Sequence, residues 1–230
     1  MVESTRAESF AASFRPLELV VFDWDGTLMD STAMIVSSIQ LACADAGVPV
    51  PSRERASHVI GLGLHDALAH AVPGIREDQV PQLADRYRHH YLSRDQLLVL
   101  FDGVRELLVA LKERGHRLAV ATGKSRTGLN RALNVSGLGT FFEATRCADE
   151  CHSKPNPEML LELMAELDVE PARTIMIGDT THDLLMAANA GTHGLGVEYG
   201  AHPGEDLRAV PSRGVVSSVE ELHSWLLSNG

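Results

Sequence analysis

The chain has 230 residues, 44% hydrophobic and 22% charged, a composition typical of a water-soluble globular protein. A net charge of −11 with no basic block argues against a nucleic-acid or anionic-membrane surface. No apolar run approaches a membrane span, and three cysteines without CxxC spacing (Cys43, Cys147, Cys151) predict free thiols in a reducing compartment, hence a cytoplasmic protein.

In chain order, residues 1–16 carry an early acid and no apolar h-region, which predicts a loose, flexible tail and no signal peptide. Residues 17–22 read as a buried strand that ends abruptly on Asp23 and Asp25, with Trp24 between them and Gly26 and Thr27 following. Residues 31–98 show only helical periodicity, punctuated by Gly47, Pro49, Pro51, Gly61, Gly63, Pro73 and Gly74. After residue 100 strands and helices alternate. A helix runs over 103–115, a strand over 116–122 and a helix over 125–137. A weaker strand at 142–148 and a helix from Pro155 to Asp168 follow. A strand at 173–179, a helix stopped by Gly191 and a strand at 192–197 come next, and residues 214–227 close the chain.

Alternating strands and helices predict a doubly wound, Rossmann-like α/β core with a parallel sheet of order 3-2-1-4-5. The core spans 17–30 and 99–230, and the helical insertion, 31–98, forms a lid or cap over it. Such sheets bind ligands beyond the carboxyl ends of their strands, where strand order reverses. Strand 1 ends in Asp23 and strand 4 in Asp179, so two carboxylates far apart in sequence are expected in one crevice.

Adjacent buried carboxylates repel and need a positive partner. Four clusters at strand ends supply the remaining chemistry: Asp23–Thr27, Thr122-Gly123-Lys124, Lys154 in SKPNPEM, and the run from Gly178 to Asp183. Carboxylate oxygens suit Mg²⁺, whereas a hydroxyl, backbone amides and an ammonium suit a phosphate.

The motifs DWDGTLMDS, VATGKS, SKPNPEM and GDTTHDLLMAANAG, in that order, resemble the haloacid dehalogenase (HAD) superfamily, and within it the phosphoglycolate phosphatase-like enzymes with a helical cap. The resemblance implies a Mg²⁺-dependent phosphatase acting on a small phosphorylated metabolite through an aspartyl-phosphate. Asp23 is then the nucleophile, and Asp25 the general acid and base. Thr122 and the Gly123 amide hold phosphate oxygens, and Lys154 screens charge. Asp23, the carbonyl of Asp25, Asp179 and Asp183 are the metal ligands, with Asp183 acting directly, through water or by orienting Lys154. Gly61 and His65, in the cap loop 60–65, are expected to face the substrate.

Other readings compete at single positions. Asp30 and Ser31 fit the N-cap of the first cap helix. Asp183 fits a first-turn acid favoured by the helix dipole. Lys124 and Arg126 could be solvated charges, His182 fits a helix-face residue, and His89 and His90 fit the surface. Dehalogenases and phosphonoacetaldehyde hydrolases similar to this fold lack the second acid, which Asp25 supplies here. The hydrolases also use a cap lysine, and residues 31–98 contain none. An inorganic pyrophosphatase or a phosphosugar mutase of the same superfamily remains an alternative, as does, outside enzymes, a phospho-receiver module.

Overall fold

The computed structural model describes residues 16–229, so the tail expected over 1–16 lies, Pro16 apart, outside the described residues. The apolar run before Asp23 is β1 (Leu19–Phe22), buried on both faces, as a central parallel strand must be. Side chains alternate across it. Val20, Phe22 and Trp24 join one core cluster, and Leu19 and Val21 join the other. On each side of β1 lie β2 (Arg117–Thr122) and β4 (Thr174–Gly178), both parallel to it. Beyond them are β3 (Ala144–Cys147) and β5 (His193–Val197). The expected order holds, and β6 (Val215–Val216) pairs with β5 to give β3-β2-β1-β4-β5-β6. The sheet has one strand more than the five expected, because two valines are too short an apolar run to announce a strand.

Between β1 and β2 stand α1 (Thr32–Ala46), α2 (Arg53–His58), α3 (Leu64–Ala71) and α4 (Val80–Leu92), followed by α5 (Val104–Glu113). The others are α6 (Arg126–Ser136), α7 (Glu158–Leu167), α8 (Thr181–Asn189), α9 (Gly204–Arg208) and α10 (Val219–Asn229). Leu107, Leu108 and Leu111 of α5 and Leu222 and Leu226 of α10 cover the Phe22 face of the sheet. Met159, Leu160 and Leu163 of α7 and Met186 of α8 cover the Val21 face. Helices on both faces leave only the strand ends open to a ligand.

Helices α1–α4 bury a third cluster of their own, centred on Ile35, Val36, Ile39, Leu68 and Leu83, separate from the two against the sheet. The chain enters and leaves this helical block along two adjacent segments. The amide of Asp30 donates to the carbonyl of Val99 (3.0 Å) and that of Phe101 to Leu28 (3.1 Å). The block also touches the sheet ends. Ser57 Oγ donates to the carbonyl of Ala201 at 2.8 Å, and the amide of Gly63 to Ser153 Oγ at 2.9 Å. A Cβ on Gly123 would sit 2.4 Å from the carbonyl oxygen of Leu62, so only glycine at the end of β2 lets this loop lie so close.

Candidate active site

Asp23 leaves β1 with its amide still in the ladder, donating to the carbonyl of Ile177 at 2.9 Å. Its carboxylate therefore emerges beside Asp179, which follows β4 directly. Asp183 enters from the first turn of α8. One carboxylate oxygen from each of the three lies within 4.8 Å of the others, and all three residues are buried. Lys154, from the loop before α7, reaches in with Nζ 2.8 Å from Asp23 Oδ1 and 2.7 Å from Asp183 Oδ1. Its side chain is 0% exposed.

Each of the other two acids is held by neighbours. Asp179 Oδ1 accepts from Thr27 Oγ1 at 2.8 Å and Oδ2 from the amide of Ala201 at 2.7 Å. Asp183 Oδ2 accepts from the amide and hydroxyl of Thr180, at 3.1 and 2.6 Å, completing a capping box on α8. Asp183 thus serves both readings weighed for it: it caps its helix and aims the Lys154 ammonium. Asp23 Oδ2 is buried with no hydrogen-bond partner among the described residues.

Burial raises the Asp23 carboxyl from its ordinary 3.8 to about 7; Lys154 opposes the rise, and Asp183 and Asp25 add to it. Asp179 is pushed well above the usual range by burial and then by Asp23 and Asp183. Burial works against the charge on Lys154, but Asp183 and Asp23 outweigh it and hold the ammonium above its ordinary value. Three buried carboxylates against one buried ammonium leave two negative charges. A divalent cation balances them, and the bare Asp23 Oδ2 among hard oxygen donors is the ligand Mg²⁺ prefers. The residues therefore fit such an ion.

A measurable consequence concerns pH. Asp23 and Asp179 have folded values above their unfolded ones, so between about 4 and 7 the folded chain holds more protons than the unfolded chain. In chelator, stability should fall as pH rises through that window. A bound divalent ion competes with those protons, so the rise in Tm on adding Mg²⁺ should be larger at pH 8 than at pH 5.5. An equal rise at both values, followed by thermal unfolding, would show that the ion binds elsewhere.

Asp25 stands apart from the acid cluster. Its Oδ1 accepts from Ser31 Oγ at 2.7 Å, and its Oδ2 lies 3.0 Å from Lys124 Nζ. Ser31 is thus not the side-chain cap expected for α1: no capping bond forms, because its hydroxyl is turned to Asp25. Asp30 is exposed. Lys124 is not a solvated charge either. It donates to Tyr91 Oη at 3.0 Å and lies 4.9 Å from the centroid of that ring. Burial alone would lower its pKa, but the carboxylate of Asp25 together with Tyr91 and Tyr87 outweighs this and keeps it charged. Arg126 does face outward, paired with Glu150 at 2.7 Å. Replacing Lys124 by Met should release one oxygen of Asp25. Turnover of alkyl phosphates, whose leaving groups need a proton, should then fall about tenfold or more, with a smaller effect on p-nitrophenyl phosphate. Equal losses on both, in steady-state kinetics, would mean that Lys124 does not position Asp25.

Thr122 closes β2, 1% exposed. Its Oγ1 accepts from the amide of Lys124 at 3.2 Å, which leaves its own O–H to donate. Gly123 is beside it. Above Asp23 and Asp25 opens a cavity of about 830 Å³, bounded below by Thr122, Gly123 and Lys124 and above by Gly61, His65 and the α1, α3 and α4 side chains. Trp24 points the other way, its ring edge-on to Phe142 at 6.4 Å. His182 lies on α8, as expected, and packs with His58 and His202, the Nε2 atoms of His182 and His202 both donating to the carbonyl of His58 at 3.0 Å. His90 pairs with Asp45 at 2.7 Å. The three cysteines are free thiols, and no helix among the described residues is long and apolar enough to cross a membrane.

Four residues that hold this site together had no part in its chemistry in the sequence reading: Thr27, Ser31, Lys124 and Tyr91. Thr27 and Lys124 sit inside motifs already singled out, so their adjacency was the available signal. Ser31 and Tyr91 gave none, because their roles depend on how the helical block folds back.

A parallel α/β sheet whose switch point gathers buried acids, a buried lysine and a hydroxyl is suited to phosphoryl chemistry on a carboxylate. Residues 20–197 match the haloacid dehalogenase-like hydrolase family, and the chain belongs to it. It is 38% identical over 210 residues to "Probable phosphatase IndB" of Dickeya dadantii, covering 89% of this chain and 91% of the relative. It is 30% identical over 206 residues to pyrophosphatase PpaX of Bacillus velezensis, covering 88% and 93%. The crystal structure of a predicted phosphatase from Clostridium acetobutylicum is similar with a TM-score of 0.83 at 27% identity, over 93% of this chain and 100% of that one.

Proposed function

We propose that this phosphatase is a cytoplasmic, Mg²⁺-dependent enzyme that hydrolyses a small phosphomonoester through an aspartyl-phosphate on Asp23. The observation that carries the reading is the separation of two acids on one strand end. Asp23 has a bare oxygen in a buried acid cluster, and Asp25 is held outside that cluster at the floor of the cavity. One carboxylate is placed to attack, the other to move protons.

In the first step an oxygen of Asp23 forms a bond to phosphorus, the ester P–O bond breaks, and the leaving oxygen takes a proton from Asp25. In the second, Asp25 takes a proton from water, the water oxygen bonds to phosphorus, and the acyl-phosphate P–O bond breaks to restore Asp23. Thr122 and the Gly123 amide hold phosphate oxygens through both steps. Lys154 offsets the charge that Asp23 and the phosphoryl group bring together. Asp23, Asp179 and the carbonyl of Asp25 would hold Mg²⁺, with Asp183 alongside, turned mainly to Lys154. When bound, the ion supplies positive charge that positions and screens the phosphoryl group.

Residues 31–98 act as the cap, on core segments 17–30 and 99–230. Their separate apolar cluster and the paired segments near 28–31 and 100–103 support motion about two short hinges. Closure brings the loop of Gly61 and His65 to the leaving group. The motif resemblance to phosphoglycolate phosphatase-like enzymes supports a small phosphomonoester as the starting point for a substrate screen. A pyrophosphatase reading is favoured by the name of the Bacillus relative. The purified protein with Mg²⁺ should release phosphate from p-nitrophenyl phosphate over many turnovers, with EDTA abolishing it. A receiver module would stop after one phosphorylation, and a pyrophosphatase would prefer pyrophosphate.

A further inference from the structure

The cavity as a whole, its phosphoryl end included, is larger than phosphoglycolate or pyrophosphate requires. At about 830 Å³ it lies in the range that encloses drug-sized ligands, about 300–1,000 Å³. Its upper wall is aliphatic: Ile35, Ile39, Val59, Ile60, Leu62 and Leu64 all face it. Tyr87 and Tyr91, stacked with ring centroids 5.7 Å apart, form another part of the wall.

Charge points the same way. The three cations among the described lining residues each have an acid already: Lys124 has Asp25 at 3.0 Å, Arg88 has Asp85 at 2.8 Å, and Arg131 has Asp95 at 2.5 Å. Asp66 and Asp149 add negative charge to the same lining. An anionic leaving group, glycolate or phosphate, would meet cations that already carry acid partners, two further acids of its own sign, and an apolar wall. An uncharged apolar group displaces water there and gains by burying its surface, with no such penalty.

We infer that the substrate is a phosphomonoester of a bulky, uncharged alcohol bearing an apolar ring or branched chain, and neither phosphoglycolate nor pyrophosphate. The inference rests on the phosphatase reading above and departs from the phosphoglycolate-like substrate that the family resemblance implies. Leu62 and Leu64 are the residues best placed to read that group, because both are only partly buried and both line the cavity.

The test compares alkyl esters, so that leaving-group acidity stays nearly constant: ethyl phosphate, 2-phenylethyl phosphate and phosphoglycolate, with pyrophosphate alongside, each with Mg²⁺ and each repeated with Asp23→Asn. 2-Phenylethyl phosphate should exceed ethyl phosphate and phosphoglycolate in kcat/KM by on the order of 10–200-fold, the usual worth of a modest apolar contact. Leu64→Gln and, as a second variant, Leu62→Gln should each shrink that ratio at least several-fold, with circular dichroism reporting the fold. A preference for phosphoglycolate or pyrophosphate, or a ratio near one, overturns the inference and leaves the phosphatase reading standing. Release from none of these esters that depends on Asp23 overturns both.

Discussion

Asp23→Asn should leave no measurable turnover on any phosphate ester, yet the protein should be as stable as the parent in chelator, or more so. The carboxamide oxygen is a poor nucleophile, and the side chain brings no charge to a cation. Loss of the covalent route should therefore remove activity to background, unlike the partial losses expected when only a hydrogen bond is deleted. The stability argument is separate. Asp23 is buried beside Asp179 and Asp183, and its pKa is raised to about 7, chiefly by burial. At pH 8 its ionised form therefore costs the metal-free fold up to about 4 kcal/mol. Asparagine does not carry that cost, and Lys154 keeps its 2.7 Å contact with Asp183. Thermal unfolding in EDTA at pH 8 should show an equal or higher Tm for the variant, and added Mg²⁺ should stabilise it less than the parent. Parent-like turnover would remove Asp23 as nucleophile. A large drop in Tm with EDTA present would mean that the acid cluster is not under electrostatic strain.

The contrast between Asp23 and Asp25 also shows what a linear sequence can carry. The parallel sheet, its order and the meeting of Asp23 with Asp179 were legible because they follow from local signals: apolar runs ending in acids, spaced by helices. Thr122 and Lys154 were legible for the same reason, each standing at the end of a strand or the start of a helix. The surroundings of Asp25 were not. Ser31 reads as a helix cap from its position, and only the three-dimensional turn through Gly26, at φ 81°, brings its hydroxyl back to Asp25. Lys124 reads as a surface charge until Tyr91, 33 residues away on α4, closes over it. Such contacts depend on how the helical block folds back, which no periodicity encodes. The same holds for the apolar chamber: its wall residues are ordinary apolar positions of α1, α3, α4 and the turn at 59–62 until the block's placement leaves one side of them open.

Lys154→Met should produce the largest combined loss of stability and activity, and its dependence on pH and metal should identify the cause. Methionine has similar length and tolerates burial, so the change removes charge with little change in volume. Three buried carboxylates would then face one another without a cation. Removing one partner of a buried ion pair costs about 3–5 kcal/mol, and for a chain of this size each kcal/mol moves Tm by about 2–4 °C. In EDTA at pH 8 the variant should therefore melt on the order of 10 °C below the parent. The sign of the pH effect follows from the acids. Asp23 and Asp179 already have raised values, and without Lys154 that of Asp23 rises further. As pH falls through about 7 the folded chain takes up a proton at Asp23 and the repulsion eases, so the deficit should shrink as pH falls. Mg²⁺ replaces part of the missing charge and should also shrink it. Activity should remain low even with the ion present, by about 10²–10³-fold, since the developing charge near Asp23 has lost a fixed ammonium. Lys154→Arg is not a safe rescue, because a planar guanidinium has no room in a site where the lysine side chain is 0% exposed. A deficit that is the same at pH 5 and pH 8 and indifferent to Mg²⁺ would make Lys154 a packing residue, and the charge balance that brings a divalent ion to this site would fail with it.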